Sequence, residues 1–216
     1  MEIRDYIHSD EKEWVYTKGL SYLFSPFFDD ISKTKDTFDN ELYQSSIELV
    51  AIEDNHVIGL LDIGIYTKEM SQKYNYYSAD KVAYFTNLAV HPDHQNKGIA
   101  SKLFKEAERQ LVKQQVNALA IFTRDGDAAN HLYKKWGAEE LIQDFLVIGT
   151  PKNSSHFIFD VDVKNKRLKF TDSITKNEIP YYLSTGVYIV SKEENLKLFD
   201  IEEVYKETTY LKIYSV

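Results

Sequence analysis

The stretch that decides the fold is residues 88–104, which read LAVHPDHQNKGIASKLF. We interpret it as the end of a buried strand, a polar turn from His91-Pro92 onward, and a helix that begins at Gly98. The first backbone N–H groups of a helix have no partner within it, and the helix dipole places partial positive charge there. Gly98 and Ala100 carry little or no side chain, so an anionic phosphate can approach those amides, and Lys97 adds a positive charge. The stretch therefore predicts an anion-binding turn.

Alternating or continuous apolar runs predict the strands around this turn, and apolar residues spaced by about four predict the helices. The predicted strands of the first two-thirds of the chain are Ile3–Ile7, Ile47–Glu53, His56–Thr67, Val82–Val90, Ala118–Thr123 and Glu140–Gly149. The predicted helices cover residues 9–24, 29–46, 98–116 and 128–136, and residues 70–80 are predicted as a loop. Because the strands and helices do not alternate regularly, this order predicts a mixed α/β (α+β) sheet and not a doubly wound one.

A Thr-Pro-Lys-Asn-Ser-Ser segment at residues 150–155 is the best candidate linker in the chain. It divides a domain at residues 1–149 from a small β-rich C-terminal appendage at residues 156–216, of about 60 residues, a size at which a core of its own is marginal. Within the appendage, residues 192–206 are charged and predict a helix, and Thr208–Val216 alternates like a strand. We expect that strand to pair at a sheet edge, within the chain or across a homodimer.

The composition narrows the classes of function. The 216 residues contain no cysteine, which excludes a thiol nucleophile, an iron–sulfur cluster and a Cys-ligated zinc site. The net charge of −8 argues against a nucleic-acid partner, which a basic face would bind. Without a recognisable signal peptide or an apolar stretch of about 18 residues, we expect a cytoplasmic protein that does not span a membrane.

Two motifs together resemble a known family. Gln95-x-x-Gly98-x-Ala100, after the Leu-Ala-Val strand, is similar to the acyl-CoA-binding motif of the GCN5-related N-acetyltransferases (GNAT). Residues 127–138, DAANHLYKKWGA, resemble the second signature of that family, a helix with Leu-Tyr-x-x-x-Gly before the next strand. The motifs stand in the family's order, so the resemblance covers residues 1–149 and implies an acyl-CoA N-acyltransferase-like fold. A dinucleotide-binding fingerprint needs three glycines, and this turn has only Gly98.

The resemblance implies a site for acetyl-CoA as co-substrate and no metal. The residues matching the pyrophosphate-binding turn are Gln95, Asn96, Lys97, Gly98, Ile99, Ala100 and Ser101. Main-chain groups of Leu88, Ala89 and Val90 match the strand that binds the pantetheine arm and polarises the thioester carbonyl. Tyr133 matches the general acid that protonates the departing thiolate. The family's asparagine seven residues before this tyrosine is Gly126 here, and Asn130 is a candidate substitute.

The identity of the general base stays open, with Asp62, His91, His94 and His131 as candidates. Without cysteine, an acyl-Cys relay is impossible, so direct attack of a primary amine of a small molecule or peptide on acetyl-CoA is predicted. Aromatic residues within Trp14–Phe28 and Tyr74–Tyr77 flank the expected acceptor position. The alternative is a non-catalytic CoA-binding module whose appendage mediates oligomerisation or partner binding.

Overall fold

The computed structural model of the chain describes residues 1–23, 25–28, 30–73, 77, 79–152, 157–162, 164–180 and 186–215. The chain forms two compact units. Unit 1 comprises Met1–Ile142 and Thr208–Val216, and unit 2 comprises Gln143–Glu207. No helix among the described residues is long and apolar enough to span a membrane.

Among its described residues, unit 1 contains four α-helices and five complete strands. The helices are α1 (Glu11–Tyr22), α2 (Lys68–Lys73), α3 (Ile99–Lys113) and α4 (Asp127–Lys135). The strands that lie wholly in this unit are β1 (Glu2–Asp5), β2 (Tyr43–Glu53), β3 (His56–Tyr66), β4 (Val82–Val90) and β5 (Ala118–Arg124). Two longer strands, β6 (Glu139–Pro151) and β11 (Phe199–Ile213), belong partly to each unit.

The strands of unit 1 form a sheet in the order β1-β2-β3-β4-β5-β11. Neighbouring residues of a strand point to opposite faces, and here Leu60 and Leu61 belong to separate apolar clusters. One cluster contains the buried stripe of α3, which includes Leu103 and Leu111, and the other contains Trp14 of α1. Helices α1 and α3 therefore cover opposite faces of the sheet, and the predicted mixed α/β fold is confirmed.

Strands β4 and β5 separate halfway along their length. Residues Val82–Phe85 of β4 pair in parallel with Ala118–Ile121 of β5, and the pairing ends there. Strand β4 itself continues beside β3 up to Val90. The register between β3 and β4 shifts at Thr86, which is the extra residue of a β-bulge. The Thr86 hydroxyl donates a hydrogen bond to the Asp62 carbonyl at 2.9 Å, and this bond holds the bulge. The separation leaves an opening in the sheet.

Unit 2 consists of short strands. Part of β6, Phe145–Ile148, pairs antiparallel with β10 (Val187–Val190). A separate antiparallel sheet contains β7 (Phe157–Asp162), β8 (Arg167–Asp172) and β9 (Glu178–Ile179). The described part of the unit is therefore rich in strands, like the predicted appendage.

The observed unit boundaries differ from the predicted ones. Thr150 and Pro151, predicted to begin a linker, end strand β6, and residues 153–155 of that linker lie outside the described residues. The last strand also returns to unit 1 at Thr208. The predicted division at residue 149 therefore does not coincide with a boundary between the two compact units, and it stays a prediction about domains.

Two predicted helices are wrong. Residues 30–42 form turns and irregular structure in their described part, because their few apolar residues make no continuous helical stripe and Ile31 and Leu42 stay exposed. The charged stretch at 192–206 forms only a short 3-10 segment, Glu193–Leu198, before strand β11 begins at Phe199. Pairing with neighbouring strands in the sheet outweighs the helix propensity of the lysines and glutamates in this stretch.

Candidate functional site

A cleft of about 650 Å³ opens where β4 and β5 separate. Its walls are the second half of β4, the end of β5, the first turn of α3, one face of α4, and the end of α1 with the segment after it. The lining residues that the structure describes all belong to unit 1. Both sequence motifs contribute residues to the lining of this cleft.

The turn before α3 presents backbone amides to this cleft. Asn96 and Gly98 adopt the left-handed conformation, with φ of 61° and 76°, and a Cβ at Gly98 would meet no atom within 4 Å. The Gly98 carbonyl accepts the first hydrogen bond of the helix, from the Lys102 amide at 3.1 Å. The amides of the residues between them have no partner within the helix. This wall therefore combines free N–H donors, the positive end of a helix dipole and open space.

Most of the predicted cofactor residues line the cleft. They are Leu88, Val90, Gln95, Asn96, Gly98, Ile99, Ala100 and Ser101. Gln95 also donates its side-chain amide to the Val90 carbonyl at 3.2 Å, which ties the turn to the end of β4. The cleft thus brings the strand and the turn of the first motif together on one wall.

Three predicted cofactor residues have side chains directed elsewhere. The Ala89 side chain is buried in the cluster beneath α1. The Lys97 ammonium donates to the Asp93 carbonyl at 3.1 Å outside the cleft lining. Asn130 donates to the Gly126 carbonyl at 3.1 Å and accepts a hydrogen bond from the Tyr210 hydroxyl at 2.7 Å. Both ends of the Asn130 amide therefore serve the start and packing of α4.

Tyr133 lines the cleft on the α4 side. Its ring packs against Phe85, Trp136 and Tyr210, with centroid distances of 6.0, 5.6 and 5.9 Å. Burial raises the pKa of Tyr133 above the ordinary value for a phenol, and the nearby Tyr210 hydroxyl adds to the increase. The phenol is therefore protonated at neutral pH and lines the cleft in that form.

Tyr22, which belongs to neither sequence motif, lines the cleft from α1. Its hydroxyl donates a hydrogen bond to the Leu88 carbonyl at 3.4 Å. Burial raises the pKa of Tyr22 strongly, and the neighbouring Tyr133 and Asp30 raise it further. The only sequence signal was its place in the aromatic Trp14–Phe28 region. Of the second aromatic region, Tyr74–Tyr76 lie outside the described residues.

A buried lysine and a half-exposed aspartate stand beside Tyr22. Lys18 is only 1 % exposed, and its ammonium lies 3.0 Å from Oδ1 of Asp30. The same ammonium lies 5.6 and 5.3 Å from the ring centroids of Trp14 and Tyr22. Asp30 lines the cleft, whereas Lys18 does not. A lysine in the middle of a charged helix reads as a surface residue, so no sequence signal indicated this pair.

Arg124 joins the end of β5 to the segment after α1. It lines the cleft and donates a hydrogen bond to the Pro26 carbonyl at 2.8 Å. Its guanidinium lies 5.2 Å from the centre of the Phe27 ring. This contact fixes the segment after α1 across the opening from β5.

The candidate bases occupy different surroundings. Asp62 is fully buried and does not line the cleft; its Oδ2 accepts a hydrogen bond from Asn87 at 3.1 Å, and its Oδ1 lies 3.5 Å from the Lys35 ammonium. Burial raises the pKa of Asp62 to about 7. His94 lines the cleft near the turn, with Nδ1 3.4 Å from Glu53, whereas His91 and His131 are not among the lining residues. The described residues contain no group of three or more acidic or histidine side chains that could hold a metal ion.

Comparisons with solved structures show the fold. The ribosomal-protein-S18-alanine N-acetyltransferase of Escherichia coli is similar with a TM-score of 0.54 at 12 % identity, covering 100 % of this chain and 94 % of that one. The ribosomal-protein-alanine N-acetyltransferase of Brucella melitensis gives 0.53 at 11 %, covering 99 % and 100 %. Arabidopsis thaliana NAA60 in complex with acetyl-CoA gives 0.52 at 13 %, covering 98 % and 97 %.

Comparison with curated proteins returned no match. A family model described as the acetyltransferase (GNAT) family matches residues 10–138, which is more than half of the 216 residues and includes every wall of the cleft. With the fold, the cleft at the separated strands and both motifs in place, the chain belongs to the GNAT acetyltransferase family.

Proposed function

We propose that this protein transfers an acetyl group from acetyl-CoA directly to a primary amine of a small molecule or peptide. The observation that carries the proposal is the cleft between β4 and β5, which has free amides of α3 on one wall and the Tyr133 phenol on another. The family membership supports acetyl transfer, and the cleft supports a position for the thioester between these two groups.

The turn before α3 is suited to bind the phosphates of acetyl-CoA. The amides of Ile99, Ala100 and Ser101 lack partners within the helix, and Gly98 leaves open space in front of them. We assign the main chain of residues 88–90 to the pantetheine arm, since β4 is free of β5 there. Lys97 supplies charge without direct contact, and we leave Asn130 out of the cofactor site because its amide is occupied within α4.

The chemical step needs an oxyanion donor and an acid. We assign the first role to a main-chain N–H of β4 near Leu88 and Ala89, where a donor stabilises charge that develops on the thioester oxygen. The amine nitrogen forms a bond to the acetyl carbon, the carbon–sulfur bond breaks, and the Tyr133 hydroxyl donates its proton to the departing thiolate. Before the attack the amine loses one proton to a base and then to solvent, because only the neutral amine is a nucleophile. After it, the new amide nitrogen loses a second proton and the Tyr133 phenolate regains one, so that one proton is released overall. Orientation within the cleft supplies much of the rate gain.

The competing proposal is a CoA-binding module without activity, in which unit 2 acts through oligomerisation or a partner. The lack of an assigned general base favours it, whereas the placement of Tyr133 favours catalysis. The cytoplasmic location, the homodimer and the lack of a nucleic-acid partner stay predictions.

One experiment separates the two functions. The full chain is incubated with acetyl-CoA and a panel of polyamines, aminoglycosides, amino-acid amides and peptides, and free thiol is measured over time. Because the protein contains no cysteine, every thiol detected comes from CoA. Amine-dependent release supports the transferase. If acetyl-CoA raises the melting temperature but no amine releases thiol, the module replaces it.

A further inference from the structure

The Asp30 carboxylate lines the cleft and is held in place by an ion pair and a backbone hydrogen bond. Its side chain is 47 % exposed and lines the cleft, while Oδ1 lies 3.0 Å from the buried Lys18 ammonium. The Asp30 amide donates a hydrogen bond to the Phe27 carbonyl at 2.9 Å, which fixes the backbone at this point. A carboxylate accepts several hydrogen bonds, so the ion pair with Lys18 leaves acceptor capacity toward the cleft.

We propose that Asp30 binds the protonated amine of the acetyl acceptor, and that Lys18 is the positioning residue that orients its carboxylate. This inference rests on the proposed function, because it concerns the acceptor side of the same cleft. It identifies the acceptor class as amines that enter as cations, held by charge-assisted hydrogen bonds to a carboxylate.

The position of Asp30 relative to the reacting groups supports this assignment. Tyr22 connects Asp30 to β4: its hydroxyl donates to the Leu88 carbonyl, and its ring centroid lies 5.3 Å from the Lys18 ammonium that pairs with Asp30. An ammonium bound to Asp30 would therefore lie on the α1 side of the same cleft that Leu88 and Tyr133 line. Among the described lining residues the second carboxylate is Asp125, which directly follows Arg124 at the end of β5.

A purely stabilising role makes a different prediction. A lysine that is 1 % exposed needs a compensating charge, and Asp30 supplies one. If Asp30 served only to neutralise Lys18, removing both charges together would leave acceptor binding unchanged. If Asp30 binds the acceptor, removing both charges would restore stability and leave the acceptor unbound.

The first test compares Asp30→Asn with the wild type, using the best amine from the panel. We expect kcat/KM for the amine to fall by about 10- to 100-fold, the decrease that corresponds to the loss of one hydrogen bond to a charged group. The KM for acetyl-CoA should stay within about twofold. The matched control is Asp39→Asn, an exposed carboxylate of the same segment that does not line the cleft; it should behave as wild type.

The second test uses the double variant Lys18→Met with Asp30→Asn, which also serves if the single variant fails to fold. We expect its melting temperature to exceed that of Asp30→Asn while kcat/KM for the amine stays low. Recovery of activity in the double variant, or wild-type activity in Asp30→Asn, would overturn the assignment while the transferase function stands. If the wild type releases no thiol with any amine, the proposed function fails and this inference fails with it.

Discussion

Replacing Asp62 with asparagine should change how stability depends on pH. The Asp62 side chain is fully buried, with Asn87 on one oxygen and the Lys35 ammonium 3.5 Å from the other. Burial is the largest influence on its pKa and raises it from the ordinary 3.8 to about 7; Lys35 opposes the increase, and the Glu48 charge adds to it. The folded chain therefore holds this proton over a range in which the unfolded chain has lost it.

The sign and size follow from proton binding. Between about pH 4 and pH 7 the folded state binds one proton more than the unfolded state at this residue, so stability falls as the pH rises. A difference of about three pH units corresponds to about 4 kcal/mol of unfolding free energy. Asparagine does not titrate and has nearly the shape of the protonated acid. The free energy of unfolding of the variant, relative to that of the wild type, should therefore increase by about 4 kcal/mol as the pH rises from 4 to 8.

Urea unfolding followed by circular dichroism at several pH values measures this difference, with Asp39→Asn as an exposed control that should follow the wild type. Parallel pH curves for Asp62→Asn and wild type would refute the reasoning. The same variant tests Asp62 as a base: because its side chain does not line the cleft, we expect turnover within a few-fold of wild type. A hundredfold loss in a stable variant would assign the proton transfer to Asp62.

Three further outcomes follow from the site and from the sequence. Tyr133→Phe should lower turnover by about 10²-fold in the thiol-release assay with little change in melting temperature, and undiminished turnover would remove Tyr133 from the mechanism. Gly98→Glu should abolish acetyl-CoA binding in calorimetry, because the side chain would fill the open turn, strain a residue with φ of 76° and repel the phosphates; undiminished affinity would defeat the assignment of the turn. Light scattering decides the predicted homodimer, which requires twice the 25.2 kDa of one chain.

The part of the site built from neighbouring residues could be predicted from the sequence. The predicted helix begins within a residue of α3, and its stripe of Ile99, Leu103, Ala107 and Leu111 is buried. Local rules are enough here: a glycine permits the left-handed turn, and a spacing of about four residues marks the buried face. The same rules predicted the strand before the turn and the helix that carries Tyr133.

The cleft wall formed by the end of α1 and the segment after it, where we propose that the acceptor binds, could not be predicted, because its chemistry depends on contacts between distant residues. Lys18 looks like a surface lysine until Trp14 and Tyr22 enclose it and Asp30, 12 residues later, pairs with it. Tyr22 reaches Leu88 across 66 residues of chain. Residues 30–42 contain no regular element to place the aspartate from sequence, so charge pairing and packing determine its position.

The end of the last strand belongs to unit 1, although the predicted domain boundary places it in the appendage. Sequence composition separates residues 156–216 from the first domain, yet Leu211 packs against Ala118 and Ala120 of β5. One residue earlier, the Tyr210 ring contacts Tyr133, and its hydroxyl donates to Asn130. The end of the chain thus supports the helix that carries the assigned acid. A chain cut at the predicted linker would lose this support together with the appendage, so the activity of such a fragment would not report on the appendage alone.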